Sequence, residues 1–404
     1  MASLQFEHLP REVLLAIMQH VPLPFLHSLV YASPAAARIF DAYGVAILEA
    51  AMTATLPDQI QDIIRLVAMV RSSAVECRSL GEFSRLYIGP EASDFPPPLS
   101  MDLSPAILRG MLVTAWQVWC LTHACLQHYI DRCMALQPSH LVDPTFEFGI
   151  KAPPWQEQPA GKRYQPRNAG PPSWVEEQRV ARAFWQVQML YDLRKAAVQG
   201  QLGWPQDDLD RLHWLDAATF WRATGVQAEQ IWAVMEYIDE METKGGCSAQ
   251  KPPWPVREVT VRWPTPEPVS QDASGLDWEQ DAVHLDKETP GYRCVGLLAG
   301  HARSPLRYVT FAPFSRLGFA FWDLKRLCAL ELVDPPPKSV GSFVPYGRLA
   351  FTWCSILSKE DLAEVQRIAQ ARTEEVNRGL YQAMLDQLVR REMRLAGAGQ
   401  QAGG

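Results

Sequence analysis

Leu9-Pro10-Arg11-Glu12, the run Val13 to Val21, Pro22-Leu23-Pro24-Phe25-Leu26 and then Ser33-Pro34 form the stretch whose reading decides the fold. Pro10 suits the first position of a helix, where a missing N–H costs nothing. Leu14, Ile17, Met18 and Val21 follow at the i, i+3, i+4, i+7 spacing of one helical face. Pro22 and Pro24 end that helix, because proline removes a donor and restricts the residue before it. Leu26, Leu29 and Val30 make a second, shorter apolar face. Ser33 is a good N-cap with Pro34 just inside it. Ala36, Ile39, Phe40, Tyr43 and Ile47 then stripe a third helix. The pattern predicts a trio of helices within residues 1–53.

Working outward, Leu56-Pro57-Asp58 restarts a helix whose apolar face is Ile60, Ile63, Ile64 and Val67, running to about Arg71. Residues 91–100, with Pro96-Pro97-Pro98, read as a connector. From Ser104-Pro105 to about Leu136 a long helix carries Met111, Leu112, Ala115, Trp116, Trp119, Leu126, Tyr129 and Ile130. It is apolar over much of its circumference, so it is expected to be deeply buried. Residues 137–172 are rich in proline but hold Phe146, Phe148, Trp155 and Tyr164. Part of this passage is expected to lie on the helical body, with Lys162-Arg163 mobile. Ser173 and Glu176 form a capping box for a helix that ends near Gly200. Another helix is expected around Asp216. One more spans Ala228 to Glu242, with Ile231, Trp232, Met235 and Ile238 on its buried face and Gly245-Gly246 closing it.

Residues 251–404 read as a small mixed α/β part. Strands are expected at Val259–Trp263, Arg293–Leu298, Arg307–Phe311 and Leu317–Trp322, and Asp323 is placed to cap a short helix through Cys328 to Leu330. A last helix opens at Ser358 with Asp361 three residues on. Its face is Leu362, Val365, Ile368, Val376, Leu380 and Leu388, and residues 396–404 are expected to fray. The fold class is therefore mainly α: a three-helix module at 1–53, a larger helical body at 54–250, and the α/β part after it. No repeat of fixed period is present, which argues against a solenoid or propeller.

Length and composition bound the function. The 404 residues correspond to two or three domains' worth of chain. With 48% hydrophobic and 21% charged residues, the chain is a folded globular protein and not a disordered one. Net charge is −7 and no basic run occurs, so a dedicated nucleic-acid surface is not expected. Eight cysteines lie scattered without regular spacing, and no basic stretch followed by an apolar run opens the chain. Free thiols and a cytoplasmic or nuclear location are the expectation. No apolar run approaches the ~18 residues of a membrane span.

Little in the sequence points to bond chemistry. Cys120, His123, Cys125, His128 and Cys133 are the densest group of metal-ligating types. At ~100° per residue they fan around a helix instead of converging, so no metal is expected. Cys294 or Cys328 with His284 or His301 would put a thiol beside a base, but no nucleophile elbow or protease-like neighbourhood surrounds them. Neither a Walker A pattern nor a Gly-x-Gly-x-x-Gly run appears. Asp207-Asp208, Glu176-Glu177 and Glu374-Glu375 read as solvated surface charge. No cofactor and no catalytic residue are assigned, and the chain is not expected to be an enzyme. Among fourteen tryptophans, Trp155, Trp254 and Trp263 in proline-rich surroundings are the ones to ask about partner contact; the plainer expectation is that they pin loops to the core.

The front stretch resembles an F-box, the module that docks a protein onto the Skp-family adaptor of an SCF ubiquitin ligase. The resemblance rests on Leu9-Pro10-x-Glu12, the apolar residues Ile17 and Val21, and Leu26 and Leu29 in the next helix. F-boxes often carry a tryptophan after the second helix, and this chain has Ala35-Ala36-Ala37 there. Two further blocks are similar to ones in filamentous-fungal F-box-like proteins. One runs Pro172-Ser173-Trp174-Val175-Glu176 through Phe184-Trp185 to Tyr191-Asp192-Leu193. The other is Gly318-Phe319-Ala320-Phe321-Trp322-Asp323. The resemblance implies a substrate-recognition subunit of an SCF-type ubiquitin ligase. The adaptor, and the cullin through it, would be held by Leu9, Pro10, Glu12, Leu14, Ile17, Val21, Leu23, Leu26 and Leu29, and an unknown target protein by the rest, with no nucleic acid or membrane partner. The alternative expectation is an adaptor-independent helical interaction scaffold. Exposure of the surface at Leu9, Pro10, Leu23 and Leu26 separates the two.

Overall fold

Proline and serine punctuate the front of the chain as expected, and three helices result: α1 (Arg11–His20), α2 (Leu23–Ala32) and α3 (Pro34–Thr55). The structure is a computed structural model that describes residues 7, 9–88, 96–142, 160–245, 289–300, 310–334 and 348–401. The Ser33 hydroxyl accepts from the Ala36 N–H at 3.1 Å, the cap that starts α3. Ala36, Ile39, Phe40 and Ile47 are buried as striped, but Tyr43 is 36% exposed. The reason is local: Tyr43 leaves helical geometry (φ −132, ψ 18) and kinks α3. Gly44 follows at once, and a Cβ there would come within 2.8 Å of Leu108 Cδ1, so the kink lets another helix approach the α3 backbone closely.

The next helices are α4 (Asp58–Arg71), α5 (Leu80–Tyr87), α6 (Pro105–Ala135), α7 (Trp174–Val198), α8 (Gln206–Trp214), α9 (Ala217–Phe220) and α10 (Val226–Gly245). Then come α11 (Pro290–Gly300), α12 (Ala312–Ser315), α13 (Leu324–Ala329), a 3₁₀ turn at Trp353–Ile356 and α14 (Lys359–Gln401). Strands are short: β1 (Ser139–Leu141) pairs antiparallel with β2 (Ala160–Arg163), and β3 (Val333–Asp334) with β4 (Arg348–Leu349). The protein is mainly α-helical. No helix among the described residues is long and apolar enough to cross a membrane.

The chain divides into two compact units. The first comprises Met1–Ala135, Arg167–Arg293 and Phe314–Leu330, the second Leu136–Pro166, Cys294–Pro313 and Glu331–Gly404. In the first unit the core is built by α4, α6, α7 and α10. Arg71 of α4 binds Asp192 of α7 at 2.9 Å and donates to the Gly110 carbonyl of α6 at 3.2 Å. Three buried aromatic donors of this unit find backbone acceptors, which offsets their removal from water. Tyr129 Oη donates to Ala233 O at 2.8 Å, Trp204 Nε1 to Cys77 O at 2.7 Å and Trp221 Nε1 to Gln186 O at 2.9 Å.

Several expectations are corrected. Arg293–Leu298 is helical within α11; Thr289-Pro290 starts it in the way that Ser33-Pro34 starts α3, with the Tyr292 N–H donating to Thr289 Oγ1 at 3.3 Å. Leu317–Trp322 is a tight set of turns in which Phe319, Ala320, Phe321 and Trp322 are all fully buried. Its apparent alternation therefore marks no face. Helix α8 was not expected, although Pro205 stands before it and Asp207 and Asp208 occupy its first turn, where the helix dipole favours them. Trp232 is 51% exposed, and Val234 and Tyr237 take the inner face of α10 with Ile231 and Ile238. In the second unit Lys162 and Arg163 belong to β2, with Ser139 opposite Arg163. The Tyr164 ring stacks on His140 at 4.0 Å and its hydroxyl donates to Glu331 O at 2.6 Å. Ser358 caps α14, accepting from the Asp361 N–H at 3.0 Å. Val365 is buried, but Leu380 is 65% exposed, so among the described side chains the expected apolar face is covered near its start and open at Leu380. The expected strands at 259–263 and 307–309, the residues Phe146, Phe148, Trp155, Trp254, Trp263, His284 and His301, and the side chains of Val376 and Leu388 lie outside the described residues.

Candidate partner-binding surface

Helix α1 is apolar on two sides, and the two sides have different fates. Leu14 and Met18 are 2% and 0% exposed and pack inward, where α1 lies against α3. Pro10 is exposed, and Val13 and Ile17 are 43% and 36% exposed. These three sit at i, i+3 and i+7, so they form one stripe along the free side of the helix. Leu9 is half-buried at its start and Glu12 is exposed. Arg11 stands elsewhere on the helix, its guanidinium 4.4 Å above the Tyr43 ring.

Helix α2 is apolar for another reason. Leu23, Leu26 and Val30 are at most 4% exposed, held where α2 packs on α3 and α6. Phe25 meets the Trp119 ring edge-on at 5.7 Å and His27 stacks on Trp116 at 5.4 Å. Val21 and Leu29 are half-buried. Of the residues expected to face an adaptor, Leu14, Leu23 and Leu26 are thus core residues of this chain and present no surface. Val13 is not among the expected residues, yet it lies exposed with Pro10 and Ile17, whose one-face spacing is already present in the sequence.

The two blocks quoted for the wider resemblance meet in space. Ser173 and Glu176 form the expected capping box of α7, with Ser173 N donating to Glu176 Oε2 at 2.8 Å and Glu176 N to Ser173 Oγ at 3.2 Å. The same Glu176 carboxylate accepts from Asp323 N at 2.9 Å and from Arg326 Nε at 3.0 and 2.8 Å. Arg179 donates to Phe321 O at 2.7 Å and to Asp323 Oδ1 at 2.6 Å. Glu176 and Arg326 have side chains 1% and 5% exposed. Glu176 is therefore no solvated surface charge: it closes a helix cap and an internal ion pair at once.

The cysteines and histidines of α6 point to different places. Cys120, Cys125 and Cys133 are buried. Burial pushes the Cys120 thiol up to about 11 and the Cys133 thiol up to about 12, and holds Cys125 well above its ordinary value. Cys133 Sγ donates to Leu317 O at 3.1 Å. Thiols in this state are poor nucleophiles and poor metal ligands. No cluster able to hold a metal ion is present among the described residues. Compared with known protein families, with curated proteins and with solved structures, the chain matches none.

Proposed function

We propose that this chain is a substrate-recognition subunit of an SCF-type ubiquitin ligase, which grips the Skp-family adaptor through the free side of α1. The observation that carries the reading is the uncovered stripe Pro10, Val13 and Ile17, in a helix that opens with Leu9-Pro10-x-Glu12. The adaptor-facing set becomes Leu9, Pro10, Glu12, Val13 and Ile17. An exposed apolar stripe gains about 25 cal/mol for each Å² that a partner covers. Binding would raise the effective concentration of a tethered target near the activated ubiquitin, and the chain itself would make and break no bonds.

Co-expression with an Skp-family adaptor from a filamentous fungus, followed by size-exclusion chromatography, tests the reading. Co-elution at one-to-one stoichiometry is expected for the natural chain. Val13→Asp and Ile17→Asp each place a charge in the contact and are expected to weaken it at least ~10-fold with the circular dichroism unchanged. Retained binding in both variants would remove this surface from the proposal.

A second reading has its own support. Leu14, Leu23 and Leu26 are spent on the chain's own core, and α2 is seated on α6. In a helical interaction scaffold the trio would cap the body and hold no adaptor. Separate elution of the two proteins at micromolar concentration favours that reading.

A further inference from the structure

Helix α6 faces carboxylates on two other helices through its histidines. His128 Nε2 lies 3.5 Å from Glu240 Oε2 of α10, and His123 Nδ1 lies 3.7 Å from Glu177 Oε1 of α7. The surroundings differ. Glu240 also meets Arg132, and neighbouring Glu236 lies within ion-pair distance of Arg132 and Arg316, so guanidinium charge offsets those carboxylates. Among the described residues His123 is the ionic partner found for Glu177. The two side chains are 22% and 21% exposed, and His123 Nε2 is buried with no hydrogen-bond partner among the described residues. The Trp119 ring meets His123 edge-on at 4.7 Å and carries the contact on to Phe25 of α2.

Other charged or titratable groups on the helices that pack against α6 and α7 have settings of their own. On α7 the adjacent Glu176 is bound to Arg326. From α4, Arg71 is taken by Asp192. From α2, His27 stacks on Trp116, and burial lowers its own proton affinity. On α10, burial raises Glu229 to about 7, a separate carboxyl in the same range. Each member of the pair is thereby pushed toward its neutral form. Burial, then the neighbouring Glu176, raises Glu177 to about 7. Burial lowers His123.

We propose that His123 and Glu177 form a one-proton latch between α6 and α7. With a single proton on the pair the helices pack most firmly; loss of that proton, or gain of a second, loosens them and, through Trp119 and Phe25, the seat of α2. The latch is independent of the adaptor reading. Its pH dependence follows from linkage. Between the ordinary glutamate value of 4.5 and about 7, folded Glu177 keeps a proton that the unfolded chain releases. That contribution is complete below 4.5 and is lost as pH rises through about 7. His123 has the opposite sign: the unfolded chain gains a proton first as pH falls through about 6.5, so stability is lost toward acid.

Urea unfolding of the full chain from about pH 5 to about pH 8 tests the latch, with Glu177→Gln and His123→Gln compared with the natural protein. Relative to Glu177→Gln, the unfolding constant of the natural chain should rise by up to ~10-fold per pH unit between about 5 and 7 and stay level above. Relative to His123→Gln, it should rise as pH falls below about 6.5. A constant offset from both variants across the range overturns the proposal. Should either variant fail to fold, the natural protein labelled with ¹³C-histidine supplies the reading. The His123 resonance, recognised by its contact with the Trp119 ring, should titrate below about 6.5 with a second inflection near 7. One step at or above 6.5 overturns it.

Discussion

Gly318 shows how one residue sets a turn that composition alone does not reveal. Its φ is +75°, and a Cβ there would lie 2.6 Å from Trp322 Cε2. The indole cannot yield, because Trp322 is fully buried and its Nε1 donates to Leu317 O at 2.6 Å. Gly318→Ala therefore adds both a strained backbone and a clash, and a loss of more than ~2 kcal/mol is expected. Gly296 in α11 is the contrast: it lies inside a helix, and among the described residues nothing stands within 4 Å of where a Cβ would be. Gly296→Ala should stabilise by about 0.5–1 kcal/mol. Thermal unfolding of the two variants checks both signs; a harmless Gly318→Ala would show that the turn rearranges. The same distinction between residues of like type runs through the front of the chain. Leu14 and Ile17 both belong to the apolar set of α1, yet one is 2% and the other 36% exposed.

At the scale of elements, α7 and α13 are joined by Glu176 and Arg326, whose atoms lie 2.8 Å apart in a setting almost without water. Removing one partner leaves a buried charge, so Arg326→Met is expected to cost about 3–5 kcal/mol. The double variant Glu176→Gln with Arg326→Met keeps an acceptor for the Ser173 cap and removes both charges. Its cost should fall short of the sum of the single changes by about 1–3 kcal/mol; urea unfolding of the three variants supplies the comparison, and strict additivity would remove the coupling. Helices that announce themselves by caps were legible: Ser33-Pro34, Ser173 with Glu176, and Ser358 with Asp361 all stand where the sequence put them. Elements lacking a one-sided pattern were not. The turns at 317–322 are buried on every side, and β2 is paired through backbone groups that no side-chain period encodes. Glu176 looked like surface charge because its partner Arg326 is 150 residues away in the chain. For the candidate surface, periodicity located α1 but did not say which apolar side α3 would cover. That choice is made by tertiary packing.

At the scale of the molecule, the question is whether the front trio is a module or part of a larger core. Helix α6 settles how it is held in the first unit: α2, α3, α4 and α7 all pack on it. Leu23, Leu26 and Val30 are buried where α2 meets α3 and α6. Each such side chain is worth about 1.5–3 kcal/mol when fully buried, a large share of the roughly 3–8 kcal/mol that a stretch of about 56 residues would have by itself. A fragment of residues 1–56 would lose the α6 side of that burial, including the Phe25–Trp119 and His27–Trp116 contacts. It is expected to show reduced helicity and no cooperative unfolding transition. Adding the Skp-family adaptor to the fragment separates the two functional readings. If the adaptor restores helicity, the stripe on α1 is enough to nucleate the trio on a partner, as the receptor reading requires. A fragment that stays unfolded beside the adaptor, while the full chain also elutes apart from it, makes the trio a cap on the body. Should the fragment instead unfold cooperatively on its own, α1 and α3 supply enough core by themselves, and the packing of α2 on α6 is an attachment between two independently stable parts.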